Sequence, residues 1–195
     1  MRGIGEASNM VAPRRVGLIS SLGIVLILQS CYLYVPDLDG TYVPRSATIH
    51  TDKNTAADIL KSFRRAEDAL KRKDLDSLMD FYADNYKHGG FTKESLRAEW
   101  KHLFQKYRDF SATHVLTRIE VVVDGDRVPL TAQVTCTGSL WAISNDTKRR
   151  VNIDSWYNEV HYLAYIDGAW RIQGHAWEVL NPKDTRTARP PHPFF

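Results

Sequence analysis

The chain has 195 residues, of which 43% are hydrophobic and 25% charged, a composition typical of one globular domain with appended segments. Its formal net charge of +3 is small, and the basic residues are interspersed with acidic ones. A nucleic-acid-binding protein usually presents a basic stripe instead, so nucleic acid is not an expected partner.

The N-terminal region has the pattern of an export signal. Arg14 and Arg15 precede thirteen uncharged residues at 16–28, a length that suits the apolar core of a signal peptide. A membrane-spanning helix needs a longer run, of ~20 residues. The run ends in Leu28-Gln29-Ser30-Cys31. This tetrapeptide resembles the lipobox of bacterial lipoproteins, in which the cysteine is acylated and the chain is cut in front of it. The alternative is an uncleaved signal anchor that extends to residue 35.

The lipobox resemblance implies a membrane-anchored lipoprotein of the cell envelope, facing the periplasm or the exterior. Residues 1–30 are then the signal peptide, with Met1 or Met10 as the start, and residues 31–50 are a tether. The domain covers 51–180, and the proline-rich residues 181–195 form a tail. If Cys31 is acylated, Cys136 cannot form an intrachain disulfide, and its alternating apolar surroundings predict a buried thiol.

Helical spacing of apolar residues predicts three helices after Thr51. The first follows a cap at Asp52, Asn54 or Thr55, and the second follows a cap at Asp74. A cap at Thr92 begins the third, and Gly89–Gly90 stops the second. The predicted inward residues are Ile59, Leu60, Phe63, Ala66 and Leu70 in the first helix, Leu75, Leu78, Met79 and Tyr82 in the second, and Leu96, Trp100, Leu103, Phe104 and Tyr107 in the third.

Strands follow the third helix. Apolar and polar residues alternate from 115 to 121, Asp124–Gly125 predicts a turn, and residues 128–143 predict a long strand. After a polar loop at 144–150, a hairpin at 151–179 turns at Asp167–Gly168. Facing residues then have numbers that sum to 335. The predicted pairs are Tyr165 with Trp170, Leu163 with Ile172, His161 with Gly174 and Glu159 with Ala176.

Three helices followed by an antiparallel meander predict an α+β domain. Two local stretches carry a family resemblance, at 73–84 (KDLDSLMDFYAD) and at 167–172 (DGAWRI). Together with the element order, they resemble the nuclear transport factor 2-like and SnoaL-like superfamily over residues 51–179. The resemblance implies that a strongly bent sheet and three N-terminal helices form a cone with a pocket inside.

The resemblance also implies a kind of chemistry. SnoaL-like cyclases and steroid isomerases use a carboxylate base with a tyrosine or histidine partner inside the cone, because proton removal needs a base and a donor for the developing oxyanion. Glu159 and His161 lie two apart on one predicted strand face and are the candidate base and its orienting partner. A solvated surface pair is the alternative. The remaining candidate pocket residues are aromatic, with core packing as their alternative role: Tyr82, Tyr86, Trp100, Tyr157 and Trp170.

No cofactor or metal is expected. The histidines are separated by whole elements, without the short spacing of a zinc site. The chain also has no glycine-rich phosphate loop and no serine in a nucleophile elbow.

Three functions remain open. The first is a binding module that holds a small apolar ligand in the cone without catalysis. The second is an assembly or dimerisation domain that uses the outer face of the long strand, with Thr131, Thr135, Thr137 and Trp141. The third is an isomerase, dehydratase or cyclase with a Glu/His/Tyr pocket. Fold alone does not choose among them, because this superfamily hosts all three.

Overall fold

The computed structural model describes residues 39–88, 90–126 and 129–174. The predictions for the signal peptide, for Cys31 and for the tail at 181–195 lie outside these residues. So do the pairing of Glu159 with Ala176 and the end of the hairpin.

The three predicted helices are present, as α1 (Lys53–Arg72), α2 (Leu75–Met79) and α3 (Lys93–Lys106). Asp52 caps α1 by accepting hydrogen bonds from the backbone amides of Asn54 and Thr55. Lys73 ends the helix in the left-handed conformation, at φ 56°. Thr92 caps α3 and exchanges side-chain and backbone hydrogen bonds with Ser95, which forms a capping box.

In the described residues, eight strands accompany these helices. They are β1 (Gly40–Tyr42), β2 (Thr48–His50), β3 (Lys87–His88), β4 (Phe91–Thr92), β5 (Tyr107–Val123), β6 (Pro129–Ser144), β7 (Arg150–Ile166) and β8 (Ala169–Ile172). The main sheet has the order β1-β5-β6-β7-β8, and β2 also pairs with β5. Strands β5 to β8 form an antiparallel meander, whereas β1 and β2 run parallel to β5.

The predicted final hairpin is confirmed in its register. Tyr165 faces Trp170, and Leu163 faces Ile172. The two turn residues have positive φ, 50° at Asp167 and 76° at Gly168. A two-residue turn with positive φ at both positions matches the twist of antiparallel strands, which is why Asp-Gly sets the register so reliably.

The predicted tether at 31–50 needs a correction. Two short strands, β1 and β2, lie within it, and both pair with β5. The folded domain therefore begins before Thr51, at least as early as Gly40. Strands of three residues carry no readable periodicity, and parallel pairing with a strand more than sixty residues later leaves no local signal.

The second helix is shorter than predicted. It ends at Met79, so Tyr82 is not a helical residue. The backbone after it pairs with β8 instead: Ile172 donates to Phe81 and Ala83 donates to Ile172, with N···O distances of 2.7 and 2.9 Å. These long-range hydrogen bonds satisfy the backbone groups that a longer helix would have used.

The core lies where the helices cover one face of the bent sheet. The largest fully buried side chains are Trp100, Trp170, Tyr82, Tyr86, Phe63, Ile59, Leu70, Leu78, Met79, Leu96 and Leu116. Register shifts interrupt the β5–β6 and β6–β7 ladders, and such bulges increase local bend and twist. The α+β cone predicted from the sequence is the fold of the described domain.

Candidate functional site

A carboxylate lies inside the core. Glu67 is on α1, four residues after Phe63 and three before Leu70, so it falls on the helix stripe that faces the sheet. Only 3% of Glu67 is exposed. A charged group is expensive to remove from water, so a buried glutamate requires polar partners.

Two side chains from two strands supply those partners. The hydroxyl of Thr41, on β1, donates to Glu67 Oε1 at 2.6 Å. His114 Nδ1, on β5, lies 2.7 Å from the same oxygen. The side chains of Glu67 and His114 are 4% and 0% exposed. The contacts therefore form a buried polar network that joins a helix to two strands, and we call Thr41, Glu67 and His114 the interior triad.

The interior triad has the arrangement of an oriented base. The contact between His114 Nδ1 and Glu67 Oε1 joins the imidazole to the carboxyl group and fixes the orientation of the ring. A carboxylate that orients an imidazole in this way is the second half of the nucleophile–base–orienter pattern of many hydrolases and transferases.

Aromatic rings surround the interior triad. The ring of Phe63 lies 5.4 Å from that of His114 and 5.8 Å from that of His161, and the ring of Trp156 lies 5.1 Å from that of His114. His161 is itself buried, with 1% exposed. The interior triad is therefore enclosed by packed aromatic rings, an apolar environment with a few polar groups.

Cys136 is a buried thiol on β6, as predicted. The indole Nε1 of Trp156 donates to its sulfur at 3.3 Å. Burial raises the pKa of Cys136 to about 12, and the hydrogen bond from Trp156 only partly opposes that rise. The thiol is therefore neutral at physiological pH and is not a nucleophile.

Three of the predicted pocket residues form a second buried cluster. Tyr82 and Tyr86 pack edge to face at 5.3 Å, and Trp100 is fully buried. Burial raises the pKa of Tyr82 well above its usual value, and the nearby Tyr86 adds to this while a hydrogen bond with Trp100 opposes it. Burial likewise raises the pKa of Tyr86. Both phenols therefore keep their protons and can act only as neutral groups.

Phe81 connects this cluster to the interior triad. Its ring lies 5.0 Å from that of Phe63 and 5.9 Å from that of Tyr82. The hydroxyl of Tyr86 is buried and has no hydrogen-bond partner within the described part of the chain.

The two members of the predicted Glu159–His161 pair differ in exposure. His161 is buried, but Glu159 is exposed, so the two side chains do not form a buried pair. A β-bulge directly precedes Glu159, where Asn158 adopts a positive φ of 53° and β7 shifts its register against β6. The bulge precedes both residues, and Glu159 and His161 stay in one register opposite Cys136 and Val134 on β6. Tyr157, in the same bulge, is 76% exposed and lies outside the core.

Trp170 packs against Tyr165 at 5.2 Å and is 2% exposed. It also lines a groove of about 460 Å³ formed by α1, α2 and β8. That groove is charged, since its lining includes Arg65, Asp68, Arg72, Asp80 and Arg171. It therefore differs from the apolar pocket that the sequence predicted around Trp170.

Within the described ranges, no three His, Cys, Asp or Glu side chains come together in a way that could hold a metal ion. In the same ranges, no helix has the length and apolar character needed to cross a membrane.

The sequence carried a signal for two residues of the interior triad. Glu67 interrupts an apolar helical stripe, and His114 interrupts the alternating apolar run Phe110, Ala112 and Leu116 on β5. A polar residue at a core position indicates a satisfied network or a site. Thr41 carried no such signal because its strand is too short to show a pattern.

No protein-family model matches this chain, and no curated protein matches its sequence. Solved structures do match. A conserved protein from Planctomyces limnophilus aligns with a TM-score of 0.52 at 14% identity, over 63% of this chain and 94% of its own. A provisionally named aromatic ring hydroxylase from Novosphingobium aromaticivorans aligns at 0.50 and 14%, over 64% and 88% of the two chains. A ketosteroid isomerase-like protein from Erwinia carotovora atroseptica aligns at 0.44 and 18%, over 63% and 94%.

The first two likenesses show the fold. The described domain has the α+β, nuclear transport factor 2-like cone fold that the sequence predicted. At 14% identity the first two structures say nothing about ligand or reaction, so function must be argued from the interior triad.

Proposed function

We propose that this chain is a lipid-anchored domain of the cell envelope that binds a small, largely apolar ligand beside Glu67 and His114 inside the cone. The observation that carries this proposal is the buried hydrogen bond between Glu67 and His114 at 2.7 Å. The envelope location depends on the lipobox resemblance at residues 28–31.

A purely structural role explains the interior triad less well than ligand binding does. Leucine in place of Glu67 would continue the apolar stripe of α1, and buried ion pairs are often no more stabilising than apolar residues of similar volume. Retaining a buried carboxylate therefore costs stability, and functional sites are where proteins usually accept such a cost.

Catalysis at the same position is the second candidate. The Nδ1 contact with a carboxylate orients His114 as a general base, which fits proton transfer in an isomerase, dehydratase or cyclase. In this case Glu67 is a positioning residue and His114 is the general base. Substitution of His114 by glutamine would then remove turnover of the bound ligand while leaving most of its binding.

The surface predicted for dimerisation is accessible in the structure. Thr131 is exposed on the outer face of β6, and Thr135, Thr137 and Trp141 are partly exposed there. The guanidinium of Arg150 covers the ring of Trp141 at 5.0 Å. Dimerisation through this face stays a prediction.

The binding proposal is tested by the small molecules that co-purify with the full-length chain, identified by mass spectrometry. We expect Glu67→Gln to lower the amount of bound ligand at least about tenfold, because the amide lacks the charge that strengthens hydrogen bonds. Asp58→Asn is the matched control, since Asp58 is an exposed carboxylate on the same helix.

Thermal unfolding of each variant is measured in parallel, to check that the variant folds. Glutamine can still accept from Thr41, so Glu67→Gln should fold. If a folded Glu67→Gln variant retains its ligand as the wild type does, the proposed site is wrong.

A further inference from the structure

Strand β1 covers the interior triad. The backbone of Gly40 passes over Glu67, so that a Cβ atom at Gly40 would lie 3.6 Å from Oε2. Gly40 has a φ of 106°, a conformation that favours glycine. Next to it, Thr41 is 5% exposed and donates to Oε1. One short strand therefore donates to Oε1 through Thr41 and passes close to Oε2 at Gly40.

The other strand on this edge makes no comparable contact. Strand β2 also has three residues and also runs parallel to β5, but Thr48, Ile49 and His50 are all exposed. Only β1 places a side chain in the core. The side chain is a threonine, at a position where valine would fill the same volume without burying a hydroxyl.

Strand β1 is short and lies at the edge of the sheet. It pairs with β5 over the three residues Gly40 to Tyr42, and parallel pairing of such short strands is weak. The ion pair beside it, between Lys71 Nζ and Asp39 Oδ2 at 2.7 Å, is solvent-exposed and adds little. Short edge elements of this kind open more readily than the core of a sheet.

We propose that β1 is a displaceable strap, and that a ligand enters by moving it and presents its own hydroxyl to Glu67 in place of Thr41. This inference depends on the proposed function. The ligand class follows from the geometry: a small neutral alcohol or phenol, with an aromatic or alicyclic body that packs against Phe63 and Trp156.

Hydrogen–deuterium exchange on the full-length chain tests the strap without a ligand. We expect the β1 amides to exchange through a local opening, faster than those of β5 and β6. Thr41→Val should speed exchange of β1 at least about tenfold, because it removes the hydrogen bond to a buried carboxylate. Thr48→Val, on the exposed β2, is the matched control and should leave β1 unchanged. Exchange of β1 only on global unfolding would overturn the proposal, and so would an unchanged rate in Thr41→Val.

A pair of probes tests the hydroxyl. 2-Naphthol and naphthalene share a ring system, and only the first can donate to Glu67. We expect 2-naphthol to bind at least about tenfold more tightly, to increase exchange of β1, and to bind more tightly still to Thr41→Val. Equal affinity for the two probes would contradict the inference, as would slower exchange of β1 on binding.

Different results would reject the proposed ligand site and the proposed strap. Retention of the co-purified ligand by Glu67→Gln would reject the interior triad as the ligand site. Slow, globally limited exchange of β1 in the ligand-free protein would reject the strap even if that ligand is lost.

Discussion

At the scale of single residues, the face assignment of the final hairpin has direct energetic consequences. Trp170 is 2% exposed and packs against Tyr165, whereas Tyr157, on the neighbouring strand, is 76% exposed. Both are large aromatics, but only the first removes most of its ring from water. Burial rather than residue type therefore decides how much each contributes to stability.

We expect Trp170→Ala to lower the free energy of unfolding by ~3–5 kcal/mol, the usual range for deleting a buried large aromatic. Chemical denaturation of the full-length chain measures this. Tyr157→Ala is the control and should change the free energy by no more than about 0.5 kcal/mol, as at most exposed positions. A loss below about 1 kcal/mol for Trp170→Ala would contradict its placement in the core.

At the scale of elements, the bulges of the sheet decide which side chains meet. Gly138 lies on β6 between the register shifts, where it faces His114 on β5 and Trp156 on β7. A Cβ atom built there would overlap the carbonyl oxygen of Thr113 and lie 2.5 Å from the Trp156 ring. The absence of a side chain at 138 is therefore what lets Trp156 approach the interior triad.

We expect Gly138→Ala to destabilise the domain by about 3 kcal/mol, at the upper end of the usual range for overpacking, because a backbone oxygen cannot move aside as a side chain can. It should also disturb the hydrogen bond from Trp156 to Cys136, which fluorescence of Trp156 and thiol reactivity at Cys136 would report.

Gly125→Ala is the matched control for this experiment. Nothing lies within 4 Å of a Cβ atom at Gly125, and its φ is not in the left-handed region. If both variants unfold at the same denaturant concentration, the close packing at Gly138 is not a constraint.

At the scale of the whole molecule, the anchor and the site lie close together along the chain. Eight residues lie between Cys31 and Gly40, and the fully extended chain from one to the other reaches ~30 Å at most. If Cys31 carries a lipid, the strap over the interior triad is held near the membrane surface. A ligand that partitions into the bilayer would then be concentrated near the site.

We expect the wild-type chain to incorporate radiolabelled palmitate and to begin at Cys31 in intact-mass spectrometry. Cys31→Ala should lose the label and retain its signal peptide, because the lipoprotein peptidase cuts only in front of an acylated cysteine. Cys136→Ala should keep the label, which makes it the control for cysteine loss. An unlabelled wild-type chain that remains full length and integral to the membrane would favour the signal-anchor alternative.

Local interactions explain what the sequence by itself determined. Helix α1 begins at Asp52 and α3 at Thr92 because each side chain accepts hydrogen bonds from amides two or three residues ahead. The Asp167–Gly168 turn sets the register of β7 and β8 within a few residues. Patterns that depend on neighbours along the chain are legible in one sequence, and they were enough to predict an α+β domain; the cone was implied by the family resemblance.

Only the tertiary structure decided where the candidate site lies. Glu67 meets His114 across 47 residues and Thr41 across 26, and no local rule specifies which helical carboxylate will face which strand histidine. The sequence favoured Glu159 and His161 because they share one predicted strand face, but the fold buries His161 and leaves Glu159 exposed. Long-range backbone pairing also decided two other features. Helix α2 ends at Met79, and β1 pairs with β5 next to Glu67. These outcomes depend on contacts that exist only once the sheet has bent and the helices have packed upon it.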